Sequence, residues 1–135
     1  MQRHCENALK MARFLESSEH VAHVTYCDLP GDKYHELAKK YLPSGSCGVV
    51  GFTVKGGRNA AENFMKHLKL IAIETHVADA RSCCLHPASS THRQMTDAEL
   101  HAAGVSPDLV RLSVGIENAD DLIADVKQAL EAAHN

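Results

Sequence analysis

The chain has 135 residues, with 14 Lys plus Arg against 17 Asp plus Glu and a formal net charge of −3 when its 10 histidines are neutral. That length accommodates one domain with a real core. The near-balanced charge offers no basic, aromatic-interleaved face for nucleic acid, and no apolar run approaches the ~20 residues needed to cross a bilayer.

The first element is a helix, read from Ala8, Met11, Ala12 and Leu15 at three- and four-residue steps and broken by Ser17-Ser18. His20 to Tyr26 alternates as a strand does. Leu29-Pro30-Gly31-Asp32 is a turn, with Asp32 expected to cap a short helix from Lys33 to Leu42 that stops before Pro43. Pro43 to Ser46 is a flexible loop. Cys47 to Val54 reads as a buried strand whose glycines predict a bulge or a closely approaching backbone. Gly56-Gly57 turns into an amphipathic helix from Asn59 to Leu68, with Ala60, Phe64 and Leu68 on one face. Two short strands follow, Ile71 to Val77 and Ser82 to Leu85. The segment His86-Pro87-Ala88-Ser89-Ser90-Thr91-His92 is either a set of local backbone caps or a wall of a binding site. Thr96-Asp97-Ala98-Glu99 has capping-box spacing and opens a helix that ends at Gly104. After a strand through Arg111, Asn118 caps a last helix striped with Leu122, Ile123, Val126, Ala129 and Leu130, with Asp120 and Asp121 at the positive end of its dipole. The order α-β-α-β-α-β-β-α-β-α, with short mixed connections and no linker, predicts an α/β chain of the α+β type: one small, mostly antiparallel sheet with helices on one face.

Five cysteines form no disulfide framework, and adjacent Cys83 and Cys84 would point to opposite faces of a strand, so reduced, mostly buried thiols are expected. The histidines invite a metal, but only the loose pairs His20/His23 and His86/His92 offer themselves, with no His-Glu-x-x-His and no CxxC; no metal is expected. The polar start Met1-Gln2-Arg3-His4-Cys5-Glu6 lacks the apolar core of a signal peptide, which predicts a cytoplasmic location.

Asp108-Leu109-Val110-Arg111-Leu112-Ser113-Val114-Gly115 sets one arginine in an apolar, β-prone run. A half-buried arginine carries a large desolvation cost unless an anion meets it. Its planar fork suits a carboxylate gripped by two parallel hydrogen bonds. Arg111 is therefore a candidate ligand-binding residue; an internal salt bridge, or an edge strand facing water, would also account for it.

Several segments together resemble a known family: Cys5-Glu6-Asn7-Ala8, Tyr34-His35-Glu36-Leu37-Ala38, Lys55-Gly56-Gly57, His86-Pro87-Ala88-Ser89-Ser90-Thr91-His92 and Leu112-Ser113-Val114-Gly115-Ile116-Glu117. In order and over essentially the whole chain they resemble the carboxyl-terminal domain of the cysteine/methionine-metabolism pyridoxal-phosphate enzymes, a fold-type I group, and within it the O-acetylhomoserine sulfhydrylases. The resemblance implies a small domain that recognises an amino-acid substrate, O-acetylhomoserine, whose acetyl group such enzymes replace with sulfide or methanethiol. It implies that Arg111 binds the substrate α-carboxylate and that the Thr91 hydroxyl helps order the same site. His76-Val77-Ala78 stands where many relatives carry Ser-Leu-Gly, so the resemblance implies that His76 borders the substrate and faces the cofactor to tune a proton-transfer step, or marks a sulfhydrylase-type subgroup; a plain polar strand end would also account for it.

The family's Schiff-base lysine, in a Ser-x-Thr-Lys setting, and the rest of its large cofactor domain have no counterpart in these residues. Pyridoxal phosphate is thus expected in full-length enzymes and not on this chain alone, which should hold no catalytic residue and be inactive by itself. An apolar face left by such a missing domain predicts a homo-oligomer. Two other readings stay open. One is a free-standing amino-acid-binding or assembly module. The other is a thiol enzyme using Cys83 or Cys84, against which strand burial argues.

Overall fold

A computed structural model describes all 135 residues. The elements are α1 (Gln2–Ser17), β1 (Val21–Thr25), α2 (His35–Tyr41), β2 (Val49–Val54), α3 (Gly57–His67), β3 (Ala72–Ile73), β4 (Cys83–Leu85), a 3₁₀ turn (Pro87–Ser89), α4 (Asp97–Ala102), β5 (Leu109–Ser113) and α5 (Ala119–Ala133). The five strands form one sheet in the order β1-β2-β5-β4-β3. Every pairing is antiparallel except β3 with β4. No helix is long and apolar enough to cross a membrane.

Alternation along the strands divides the sheet into two faces. Val50, Phe52, Val54, Val110, Leu112 and Cys84 turn to one side and join Ala8, Met11 and Leu15 of α1, Phe64 of α3 and Leu122, Val126 and Leu130 of α5 in a single cluster of 23 buried residues. Phe52 meets Phe64 edge-on, with centroids 5.6 Å apart. The predicted architecture is the observed one: a mostly antiparallel sheet with α1, α3 and α5 packed on one face.

Local departures have physical causes. Asp32 does not cap α2, which starts at His35 with no side-chain cap. Its Oδ1 instead accepts the Tyr34 N–H at 2.8 Å and its Oδ2 the Tyr26 N–H at 3.2 Å, closing the turn onto the end of β1. The third helix begins at Gly57 because Gly56, at φ 96°, makes the entry turn. The register break lies in β1, between Val21 and His23, and the close approach lies at Gly48, where a Cβ would come within 3.1 Å of the Val114 carbonyl. The capping box on Thr96 and Glu99 forms as predicted, and Asn118 caps α5.

The largest departure is at Ile71 to Val77, where only Ala72–Ile73 is a strand. The next residues leave the sheet because their carbonyls are taken by a side chain of β5.

Candidate functional site

That side chain is Arg111. It lies on β5, the central strand, opposite Gly51 of β2 and Leu85 of β4. Alternation points Arg111 away from the core formed with α1, α3 and α5, and the residue is half-buried. Its Nη2 donates to the Thr75 carbonyl at 2.7 Å and more weakly to the His76 carbonyl at 3.4 Å. Its Nε is buried without a partner. None of the chain's ion pairs includes it. The edge-strand and internal salt-bridge readings of this arginine therefore both fall away.

The segment above Arg111 is held at several points. The Ala78 N–H donates to Ser113 Oγ at 3.1 Å, the His4 ring meets the Asp79 carbonyl at 3.0 Å, and the Ile116 N–H donates to the Ala80 carbonyl at 2.9 Å. Ala78 sits at φ 58°, the one non-glycine residue in the left-handed region. An L side chain there costs about 1–2 kcal/mol. Ala78→Gly is therefore expected to hold stability constant or raise it by roughly 0.5–1 kcal/mol, where an ordinary Ala→Gly change loses that much. Urea unfolding would measure it, and a loss of 1 kcal/mol would refute the strain.

His76 is brought to this site by its backbone; its ring is exposed, with Nδ1 2.9 Å from Glu74 Oε2. Thr91 is exposed and does not bond Arg111; its hydroxyl meets His92 Nδ1 at 2.8 Å. The His-Pro-Ala segment is built from local caps. His86 is buried, with Nε2 donating to the Pro107 carbonyl at 2.8 Å and Nδ1 facing Ser89 Oγ at 2.8 Å, while Ser90 Oγ donates to the His86 carbonyl at 2.6 Å. Both ring nitrogens of His86 are thus engaged by the protein, and His20 stacks on His134 with centroids 4.3 Å apart. No group of three His, Cys, Asp or Glu side chains could hold a metal ion. Burial pushes the Cys84 thiol far up and raises that of Cys83, which argues against a thiolate nucleophile on β4.

Sequence reasoning missed two buried polar devices. Glu117 accepts the Ser82 N–H at 2.7 Å and the Ser82 hydroxyl at 2.9 Å, while Asn7 Nδ2 donates to the Gly115 and Glu117 carbonyls. Asp125 accepts the N–H groups of Lys69, Leu70 and Ile71. The signal was present: Asn7 and Asp125 each interrupt an apolar helical stripe, and a buried polar group needs partners.

A pyridoxal-phosphate site needs a lysine that can form the Schiff base within an enclosed clamp. All eight lysines of this chain are exposed. No lysine here stands in an enclosed clamp, whereas the guanidinium of Arg111 is half-buried and has unpartnered nitrogens, a chemistry suited to an anion.

The family model for Cys/Met metabolism PLP-dependent enzymes matches residues 1–131. The O-acetyl-L-homoserine sulfhydrylase of Leptospira meyeri is 46% identical over 132 residues, covering 97% of this chain and 30% of its own length. The homocysteine synthase of Schizosaccharomyces pombe is 44% identical over 133 residues, covering 98% and 31%. The L-methionine gamma-lyase of Fusobacterium nucleatum is 40% identical over 131 residues, covering 97% and 33%. A crystal structure from Campylobacter jejuni, described as an O-acetylhomoserine (thiol)-lyase and containing a pyridoxyl-lysine monophosphate, superposes with a TM-score of 0.88 at 39% identity, covering 96% of this chain and 31% of that one. The chain thus spans about a third of the length of these relatives. With nearly every residue matched, it belongs to the Cys/Met metabolism PLP-dependent enzyme family.

Proposed function

We propose that this chain is the amino-acid-recognising domain of an O-acetylhomoserine sulfhydrylase-type transferase, with Arg111 holding the substrate α-carboxylate. One observation carries the reading: a half-buried guanidinium on the central strand, free of any carboxylate of its own chain, bonded only to two carbonyls through Nη2 and with Nε unpartnered. A purely structural arginine at such a position needs an acid to offset its desolvation. This one keeps donors in reserve for a planar anion.

His76 and Thr91 belong to the same reading. His76 borders the guanidinium, and Thr91 stands on the loop that leaves β4 beside Leu85, the residue opposite Arg111. The Schiff-base lysine and the cofactor contacts would come from polypeptide outside these 135 residues, so the chain alone does not turn over. Exposed Tyr34, Leu37, Tyr41 and Leu42 along α2 and its end support self-association or docking on that other polypeptide.

The test is kinetic, in the pyridoxal-phosphate-loaded enzyme carrying this chain. Arg111→Ala removes two charge-assisted hydrogen bonds of roughly 1.5 kcal/mol each, which raises KM for O-acetylhomoserine about 100-fold. KM for the thiol stays the same. Arg111→Lys recovers only part of the loss, because an ammonium cannot bind a carboxylate in a fork. An unaltered amino-acid KM in both variants would sink the assignment.

A further inference from the structure

Resting on that reading, we propose that His76 is the proton acceptor for the thiol co-substrate and that Glu74 is the positioning residue that orients it. The His76 carbonyl lies 3.4 Å from Arg111 Nη2, so the imidazole rises from the segment that borders the carboxylate site. Its Nδ1 is 2.9 Å from Glu74 Oε2. A carboxylate only accepts, so Nδ1 carries the hydrogen and donates it, and Nε2 of the neutral ring keeps a free lone pair. No protein group bonds that Nε2, and the side chain is 68% exposed, open to a small solute. His4, His35, His67 and His92 also bond through one ring nitrogen, but to a carbonyl or a hydroxyl, and only His76 bonds a carboxylate. Both ring nitrogens of His86 face protein partners, as do both of His134. His76 has one nitrogen fixed by an acid and the other free, beside the arginine that binds the amino acid.

The charged and titratable groups near this pair are few. Arg111 approaches from β5, Cys83 of β4 lies close enough to feel the charge of Glu74, His4 of α1 meets the Asp79 carbonyl, and the Asp79 carboxylate is itself held by the Arg81 N–H at 2.9 Å. None of them bonds the imidazole.

The step is a proton transfer. A thiol or hydrogen sulfide reacts as its thiolate or hydrosulfide, and over the whole replacement the new S–C bond takes the place of the C–O bond to acetate, which leaves with that bond's electron pair. The S–H bond breaks, the proton goes to Nε2, and the electron pair stays on sulfur as the nucleophile. The imidazolium formed is stabilised by the Glu74 carboxylate at its other nitrogen. No oxidant or reductant takes part. A positioned base of this kind contributes about 10²–10⁴-fold.

In the loaded enzyme, His76→Ala is expected to lower kcat/KM for the thiol about 100-fold near neutral pH. The deficit shrinks as pH rises and the thiol ionises in solution, and it exceeds any change in KM for the amino acid. Glu74→Gln gives a smaller loss, about tenfold, on the thiol side only. In ¹⁵N NMR of this chain, which has its own packed core, the same substitution turns the His76 ring from the Nδ1–H form into a mixture of tautomers. A loss that is the same at every pH, a change confined to the amino-acid KM, or a tautomer indifferent to Glu74→Gln overturns the proposal. The two readings fail separately: an Arg111→Ala enzyme with normal amino-acid KM refutes the carboxylate anchor, whatever the thiol kinetics of the His76 variant.

Discussion

Gly115→Ala is expected to cost about 4 kcal/mol or more and to lower Tm by roughly 10–15 °C. Gly115 does not sit at positive φ, so its requirement is for space, not for conformational freedom. A Cβ there would collide with the Ala80 carbonyl and the Glu117 carboxylate and would stand 2.7 Å from the Ser82 amide nitrogen. Two of these three are backbone atoms, which cannot rotate away. Gly115 also occupies the centre of a closed polar clamp. Its N–H donates to Ser82 Oγ at 2.8 Å, its carbonyl accepts Asn7 Nδ2 at 3.0 Å, and both carboxylate oxygens of Glu117 are taken by Ser82. Pushing the strands apart adds the penalty of overpacking, about 1–3 kcal/mol, to that of at least one buried polar group left unpaired, again about 1–3 kcal/mol. The clamp ties the end of β5 to the segment that runs over Arg111, so the substitution should loosen the site along with the fold. Thermal and urea unfolding would measure the first effect. A variant within 1 kcal/mol of the parent chain would show that the clamp yields freely.

The legible parts of this molecule were those written in local patterns. Helix stripes, turn residues and the Thr96–Glu99 capping box each encode their own structure, and the strand-and-helix order was enough to predict an antiparallel sheet covered on one side. Arg111 was legible for the same reason: a single cation in an apolar run states a conflict that something must resolve. What resolves it was not legible. Its contacts are carbonyls 35 and 36 residues distant in the chain, and no spacing rule connects Arg111 to Thr75. The same non-local pull shortens the expected strand after Ile73, where side-chain capture of the carbonyls outcompeted sheet pairing. The roles of Ser82 and Glu117 escaped prediction likewise, because a serine–carboxylate clamp shows no periodicity.

Asp125 is the clearest case of a polar residue whose importance lies far along the chain, and its replacement should be nearly as damaging as that of Gly115. It interrupts the apolar stripe of α5 between Leu122 and Val126, yet it is only 6% exposed. Its Oδ1 accepts the Lys69 N–H, and its Oδ2 those of Leu70 and Ile71, each at 2.9 Å, where the chain leaves α3 for the sheet. Gln128 Nε2 adds a fourth bond at 3.0 Å. Asp125→Ala strands three backbone donors and is expected to cost about 3–5 kcal/mol; Asp125→Asn, which keeps one accepting oxygen, costs about 2. Acid pH provides the sharper test. Burial acts to raise this carboxyl, but the N–H groups of Ile71, Lys69 and Leu70, with Gln128, outweigh it and hold the carboxyl below its ordinary 3.8. A depressed folded-state value means that the ionised group stabilises the fold above the unfolded value, and that this contribution drains away as pH falls from there through the folded one. The asparagine variant has nothing to protonate at this position. Its deficit relative to the parent chain should be full at pH 6 and narrow progressively below about pH 4, the carboxylates common to both chains cancelling in the difference. Paired urea titrations at pH 6 and pH 3 would read this directly, and a gap of constant size would mean that neutral hydrogen bonding, not the carboxylate charge, secures the α3–β3 connection.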